Sequence, residues 1–367
     1  MFSSIPHENI NFDPNEKDIE SIILNFVSNS LKQTYMKLNS SLTIEKLTDG
    51  LSNILFAIYS RKNNGIIIKI YGKNSDLIVD RQAEIQYMIH LAQFHMSPSI
   101  ILTFNNGFIY QYLPGSPVSN GNEEKAFLIA RKLAEFHSVP FIDKNVKGQL
   151  VEKLRHYINL LNGTNEELYK RIKLSSSSYL NDISWLKITE DINKIEEIID
   201  EKNSLWSNLS IVICHNDTQC LNFLYDDMNN NNNKISLIDF EHCARNFWLF
   251  DVINHFIEYA GCDNEEPDYD NTYPKRNKQK QWLEIYLSNA LFLNDKFEKQ
   301  MTIDELCDLG DCLRAPIHLY WSLWAFLEAL LSPESMKKFD YIKYGKYRLK
   351  QYEKYKQDFF SSVKKSI

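Results

Sequence analysis

The chain has 367 residues, 44% of them hydrophobic and 24% charged, with a formal net charge of −7. That length suffices for two cores, and the balance is ordinary for a water-soluble enzyme. The negative charge argues against nucleic acid as the main partner and mildly favours a cationic ligand.

Residues 1–16 read as a polar arm, and the acidic start carries no basic-then-apolar signal pattern. Apolar residues at helical spacing (Ile22, Ile23, Phe26, Val27, Leu31) predict a helix over Asp18–Leu38. A turn-rich stretch, Leu47 to Asn53, enters a strand over Ile54–Tyr59. Asn64-Gly65 is a hairpin turn, and the chain returns as a strand over Ile66–Tyr71. Lys69 interrupts that apolar run; taken alone, it reads as well as an outward-facing residue of an alternating strand. A helix is expected over Asp80–Phe94 and carries Glu84. Ile100–Phe104 and Phe108–Leu113 form a second hairpin around Asn106-Gly107. Pro114-Gly115-Ser116-Pro117 then ends regular structure. Residues 17–113 are thus expected as a small β-rich N-lobe and 114–367 as a large helical C-lobe.

In the C-lobe, helices are expected over Glu123–Ser138, Gln149–Leu161, Glu166–Leu174, Ile188–Trp206, Gln279–Leu293, Thr302–Leu331 and Met336–Phe359. The serine run 175–178 reads as a loop. The asparagine run 229–233 reads as a solvated tip between the short strands Phe223–Tyr225 and Ile235–Ile238. The most apolar window, Leu319 to Leu331, is broken by Glu328 and is far short of a membrane span. The six cysteines form no C-x-x-C pair, so neither a zinc site nor a disulfide frame is expected. Reduced thiols and a cytoplasmic location follow.

The chemistry concentrates between Ile213 and Glu258. His215-x-Asp217 with Asn222 gives H-x-D-x-x-x-x-N, the arrangement of a kinase catalytic loop. There a carboxylate takes a hydrogen bond from the attacking hydroxyl, and an amide oxygen one turn further on faces a metal ion. Asp239 follows an apolar strand, the order expected of a Mg²⁺ ligand. Lys69 would pair with nucleotide phosphates, and Glu84 would hold Lys69. Singly, each has an ordinary explanation: a solvated Asp, a turn Asn, a structural histidine. His215 is read as structural even here. The ordered set, split between a β lobe and an α lobe, predicts an α+β, protein-kinase-like two-lobe fold with all its catalytic residues in place. No G-x-G-x-x-G precedes Lys69; Asp49-Gly50-Leu51-Ser52-Asn53 stands there and can still present N–H groups to phosphate. Asp-Phe-Gly and Ala-Pro-Glu are also missing, so a small-molecule kinase fits better than a protein kinase.

From about Leu47 to Tyr355 the chain resembles the choline/ethanolamine kinase family. The resemblance rests on Cys214-His215-Asn216-Asp217 with Asn222, on Ile238-Asp239-Phe240-Glu241, on Asp251-x-x-Asn254-His255-Phe256, and on Trp321-Ser322-Leu323-Trp324. Tyr71-Gly72-Lys73 leading to Val79-Asp80-Arg81, Thr103 to Gly107, Glu258-Tyr259-Ala260-Gly261, and Asp268-Tyr269 followed by Tyr273-Pro274 look closer to ethanolamine kinases. The resemblance implies Asp217 as catalytic base and Asn222 and Asp239 as Mg²⁺ ligands. It implies an ATP site formed by Lys69, Glu84, Asp49, Ser52, Asn53, Gln111, Leu113 and Ile238. Glu258, His242, Glu241, Trp321, Trp324 and Tyr344 would line or support the amino-alcohol site. Tryptophans three apart share a helix face, which alone means a core stripe. A cationic head group would give that face another use, at roughly 0.5–2 kcal/mol per ring.

Two positions depart from the family. His242 stands where an aromatic residue is usual, and as a neutral imidazole it is a weaker π face that can accept a hydrogen bond from an ammonium N–H. That leans toward ethanolamine, whose nitrogen carries N–H donors where choline has methyl groups. Ile253 replaces the usual glycine, a change expected to affect only local packing. The expected activity is ATP-dependent phosphorylation of ethanolamine, with choline as a second substrate, at the first step of phospholipid head-group synthesis. Choline kinase as the main activity, an aminoglycoside-type phosphotransferase and an inactive kinase-like binding module are the competing readings. A homodimer is compatible with all of them.

Overall fold

The structure, a computed structural model, describes residues 5–13, 16–31, 42–49, 53–59, 65–73, 75–119, 121–141, 147–163, 180–202, 204–228, 235–261, 264–293, 296–331 and 338–362. The expected helix over Glu166–Leu174, the serine run and the asparagine run lie outside these residues.

The chain opens with β1 (His7–Glu8), α1 (Ile19–Ser30), β2 (Thr43–Asp49), β3 (Asn53–Tyr59) and β4 (Gly65–Tyr71). Then come α2 (Arg81–Ala92), β5 (Ile100–Phe104), β6 (Gly107–Gln111) and β7 (Ser116–Pro117). The helices α3 (Glu123–His137), α4 (Leu150–Leu161), α5 (Trp185–Asp200) and α6 (Leu205–Asn208) follow. Next are β8 (Ile211–Cys214), β9 (Phe223–Tyr225), β10 (Ile235–Leu237) and β11 (Ala244–Phe247). The chain closes on α7 (Trp248–Ile257), α8 (Tyr269–Thr272), α9 (Arg276–Asn289), α10 (Ile303–Leu331) and α11 (Tyr341–Ser361).

Two compact units result. Unit 1 takes Met1–Leu77, Ile85–Ser116 and Leu224–Ile238; unit 2 takes Ile78–Glu84, Pro117–Phe223 and Asp239–Ile367. The division therefore falls close to the Pro-Gly break, with a short segment exchanged each way.

Unit 1 is built on a six-stranded sheet in the order β1-β5-β6-β4-β3-β2. β3 and β4 pair in antiparallel register, Leu55 opposite Lys69 and Tyr59 opposite Gly65. β4 is central and buried over Gly65–Ile70, which explains its continuous isoleucine run. Lys69 is correspondingly 4% exposed, with its ammonium 6.0 Å from the Phe108 ring. The reading of Lys69 as an outward residue is corrected by this: a central strand covered on both faces leaves no outward side. Residues 5–13 do not stand apart as an arm. β1 pairs in parallel with β5, and Asn106 both accepts from Phe12 N (3.0 Å) and donates to Phe12 O (2.7 Å). Phe12 joins Ile23, Val27, Phe56, Ile68 and Phe104 in the core. The polar composition of this segment concealed one buried aromatic anchor.

Unit 2 is organised on α10, which packs against α11, α7, α4 and α9. Helix starts follow their caps. Ser184 Oγ accepts from Lys187 N and Asp340 from Lys343 N, so α5 begins before Ile188 and α11 after Met336. The single helix expected over Ile188–Trp206 is two: α5 ends at Asp200, and Ser204 caps a separate turn. α11 can approach α10 closely because Gly345 has no side chain; a Cβ there would stand 2.5 Å from the Phe326 ring. Ile253, the bulky departure in α7, is answered in α10 by Gly310, where a Cβ would stand 2.6 Å from the Ile253 Cδ1. The strand-rich first unit and helical second unit agree with the α+β expectation.

Candidate active site

The centre of unit 2 is a two-stranded ribbon, β8 antiparallel to β11, with Cys214 opposite Ala244. The loop after β8 carries His215 to Asp217, and the segment before β11 carries Asp239 to His242. Asn216 and Asp239 both adopt left-handed backbone, with φ of 62° and 63°, a conformation that short polar side chains tolerate. Asn216 ties the two segments together. Its Nδ2 donates to His242 O (3.0 Å), and Asn246 Nδ2 donates to its Oδ1 (2.8 Å). Asp251, wholly buried in the first turn of α7, accepts from His215 N (2.7 Å), Asn216 N (2.8 Å) and His137 Nε2 (3.0 Å). Its two oxygens thus fix the backbone just before Asp217. His215 itself is fully buried with its ring 5.2 Å from that of Phe240, as a structural residue would be.

Asp217 Oδ2 accepts from Asn222 Nδ2 (2.8 Å) and Gln219 Nε2 (3.1 Å). Burial, and then the charges of Asp239 and Glu258, push its carboxyl up to about 8. Asn222 also donates to Asp217 O (2.9 Å). Both of these bonds use the amide nitrogen, and the carbonyl oxygen takes no partner among the described residues. An Asn oxygen and an Asp carboxylate are the hard donors that suit Mg²⁺. Glu84, Asp239 and Glu241 bring carboxylate oxygens within 4.8 Å of one another. Arg81 spans two of these, bonding Glu84 (3.0 Å) and Glu241 (2.9 Å). In the sequence Arg81 stood out only as part of the Val79-Asp80-Arg81 resemblance, with no role assigned to it.

An aromatic cluster lies beside His242. Ring centroids stand 5.3 Å from Trp321, 6.3 Å from Tyr320 and 6.4 Å from Trp324. Trp321 and Trp324 meet edge to face at 5.3 Å, and Trp321 Nε1 donates to Asn254 Oδ1 (2.8 Å). Burial holds the His242 ring neutral, its pKa lowered to about 4. Tyr157 OH donates to Tyr320 OH (3.3 Å), and Tyr320 OH stands 3.1 Å from His242 Nδ1. The other ring nitrogen, Nε2, lies 3.9 Å from Glu241 Oε1.

Tyr344 is tied to Arg348. Its hydroxyl accepts from Arg348 Nε (2.8 Å), and its ring packs on Phe339 at 5.4 Å. The residue that meets Trp324 is Tyr341, at 5.8 Å, one turn earlier on α11. Glu258, where α7 ends, is 3% exposed and pairs with the buried Arg348. Arg348 was legible only as one of many basic residues in α11, although its spacing from Tyr341 and Tyr344 places all three on one helical face.

In unit 1, Asn53 is buried at the start of β3, and Gln111 ends β6 exposed. Leu113 and Ile238 are half-buried. The Asp49 backbone pairs with Ile54; Ser52 lies outside the described residues.

Residues 44–353 match the choline/ethanolamine kinase family. The chain is 27% identical to a probable ethanolamine kinase of Nematostella vectensis, over 98% of this chain and 99% of the relative. It is 30% identical to human ethanolamine kinase 1, over 86% of this chain and 68% of the relative. Among solved structures it is similar to an ethanolamine kinase of Plasmodium vivax, with a TM-score of 0.75 and 23% identity over 94% of this chain and 91% of that one. The fold is that of protein-kinase-like phosphotransferases, and the chain belongs to the choline/ethanolamine kinase family.

Proposed function

We propose that the protein transfers the terminal phosphoryl group of ATP to the hydroxyl of ethanolamine, with choline as a poorer substrate. The observation that carries this reading is the Asp217 carboxylate held by Asn222 and Gln219 in the same unit as the Trp321 and Trp324 rings beside His242 and the buried Glu258. In an amino alcohol the hydroxyl and the ammonium are two carbons apart. A base for the first and a carboxylate for the second must therefore feel each other's charge. The names of the relatives point the same way.

In this reading Asp217, held by Asn222 and Gln219, accepts the hydroxyl proton as the oxygen attacks phosphorus. Bound Mg²⁺ would neutralise phosphate charge, and Asn222 and Asp239 would hold it. With the Asp239 charge taken up in holding that ion, Asp217 would ionise more readily, as a base must. Lys69 would pair with the phosphates, and Asp49, Ser52, Asn53, Glu84, Gln111, Leu113 and Ile238 would serve the nucleotide. Trp321, Trp324 and Tyr341 offer faces and edges to the head group, with Glu258 as its carboxylate. His242 and Glu241 support that wall; Tyr344 acts through Arg348.

Phosphorus NMR of a reaction containing ATP, Mg²⁺ and ethanolamine tests this. A new phosphomonoester signal is expected, and none with Asp217→Asn. Formation of inorganic phosphate alone would contradict the reading.

A further inference from the structure

We infer that Arg348 is a positioning residue for the amino-alcohol site: it grips one oxygen of Glu258 and leaves the other to accept from a substrate N–H. The inference rests on the reading of Glu258 proposed above. It adds a residue and a reason for selecting a primary ammonium.

Arg348 is completely buried, and each of its nitrogens has its own partner. Nε donates to Tyr344 OH (2.8 Å), Nη1 to His318 Nδ1 (3.2 Å) and Nη2 to Glu258 Oε1. The guanidinium lies 4.5 Å from the Tyr269 ring and 5.1 Å from the Tyr344 ring. Burial and the neighbouring Arg348, Arg314 and Lys354 charges hold His318 neutral, as an acceptor must be. The plane of Arg348 is therefore fixed on its edges and its faces. Lysine, with a single nitrogen, could not reproduce this.

A buried ion pair is a poor device for stability alone, because desolvation offsets most of the attraction. This pair has another consequence. Glu258 Oε1 is committed to Arg348, and Oε2 takes no partner among the described residues. The Glu258 charge reaches Asp217, and Trp321 is bonded to Asn254 one turn before Glu258 on α7. The open oxygen thus belongs to the surroundings of the base and the tryptophans. With Arg348 beside it, the carboxylate has much of its charge balanced. What remains is a directional acceptor more than a bare negative field. An ammonium with N–H donors can use that; a quaternary ammonium, which can only respond to charge and π faces, gains less.

Steady-state kinetics of the wild type, Arg348→Lys and Arg348→Met with both amino alcohols test the inference. A charge-assisted hydrogen bond corresponds to about tenfold or more in affinity. The KM for ethanolamine is expected to rise by at least that factor, that for choline by much less, and that for ATP to stay unchanged. Parallel changes for both amino alcohols, or an unchanged ethanolamine KM, would overturn it. If Arg348→Met fails to fold because Glu258 is left unpaired, Glu258→Gln with Arg348→Met removes both charges. That double variant must show the same selective loss, and wild-type discrimination in it would overturn the inference. Failure of the wild type to use either alcohol would overturn the underlying reading as well, whereas an active wild type with indifferent variants overturns only the role of Arg348.

Discussion

At the scale of single residues, the proposed reaction places its chemistry on Asp217 and its discrimination on the wall around His242. Asp217→Asn keeps the shape of the side chain and removes the base. Turnover should fall by roughly 10²–10⁴, with nucleotide affinity, measured by titration calorimetry, little changed. A variant with more than a tenth of wild-type turnover would remove Asp217 from the role of base. His242→Tyr restores an aromatic face against Trp321 and Trp324. It should improve choline relative to ethanolamine by about three- to tenfold in kcat/KM, on the scale of one cation–π contact. An unchanged ratio would confine His242 to packing. The residues that were legible in the sequence are those whose spacing is itself chemical: Asp217 with Asn222, then Asp239. Arg348 and Tyr341 were not, and Arg81 was visible only through the resemblance, because each works through a partner distant in the chain, and local spacing does not encode that partner.

At the scale of elements, hairpin turns and helical periodicity located the strands and most helices. Other elements escaped. β2 was read as a turn-rich approach, since Asp49-Gly50 and Asn53 mask the strand that precedes them. The ribbon of β8 and β11 was read as a motif and not as a pair of strands, because its partners are separated by the whole catalytic segment. The break between α5 and α6 lies in a pattern whose apolar residues continue across it. Close approaches between elements were equally hidden. A Cβ at Gly107 would stand 2.0 Å from the Lys69 backbone oxygen and 2.6 Å from the Phe104 ring. Backbone cannot rotate away, so Gly107→Ala should destabilise by about 1–3 kcal/mol. A lower urea midpoint with unchanged slope is expected, and an unaltered midpoint would contradict the close packing of β6 on β4.

At the scale of the whole molecule, burial sets a pH dependence. His242 and His255 are lowered to about 4, and His318 well below its ordinary value, chiefly by burial. In the unfolded chain each takes a proton near pH 6.5. Between pH 6.5 and 4 the unfolded state therefore binds more protons, and stability falls as pH falls. For His255 the loss amounts to about 3 kcal/mol by pH 4. Asp217 works against this. Raised to about 8, it binds its proton in the folded state first and recovers stability over the same window. The net slope should match about two protons. Urea unfolding from pH 7 to pH 5 should show this decline, and His255→Gln should make it shallower by about one proton. An identical slope in that variant would mean that His255 is not held neutral.

The division of the chain into a strand-rich and a helical unit was legible from composition and turns alone. The placement of residues 5–13 in the first sheet was not, because polar residues surround Phe12. Substrate choice is the least legible property, since in the proposed function it would depend on Arg348, Glu258, His242 and the tryptophans together. The most direct test of the central claim is steady-state phosphorylation of ethanolamine and choline side by side by the wild-type protein with ATP and Mg²⁺. The account predicts turnover of both, with a higher kcat/KM for ethanolamine. A kcat/KM for choline about tenfold higher or more would contradict the proposed preference, and no turnover of either would contradict the proposed function.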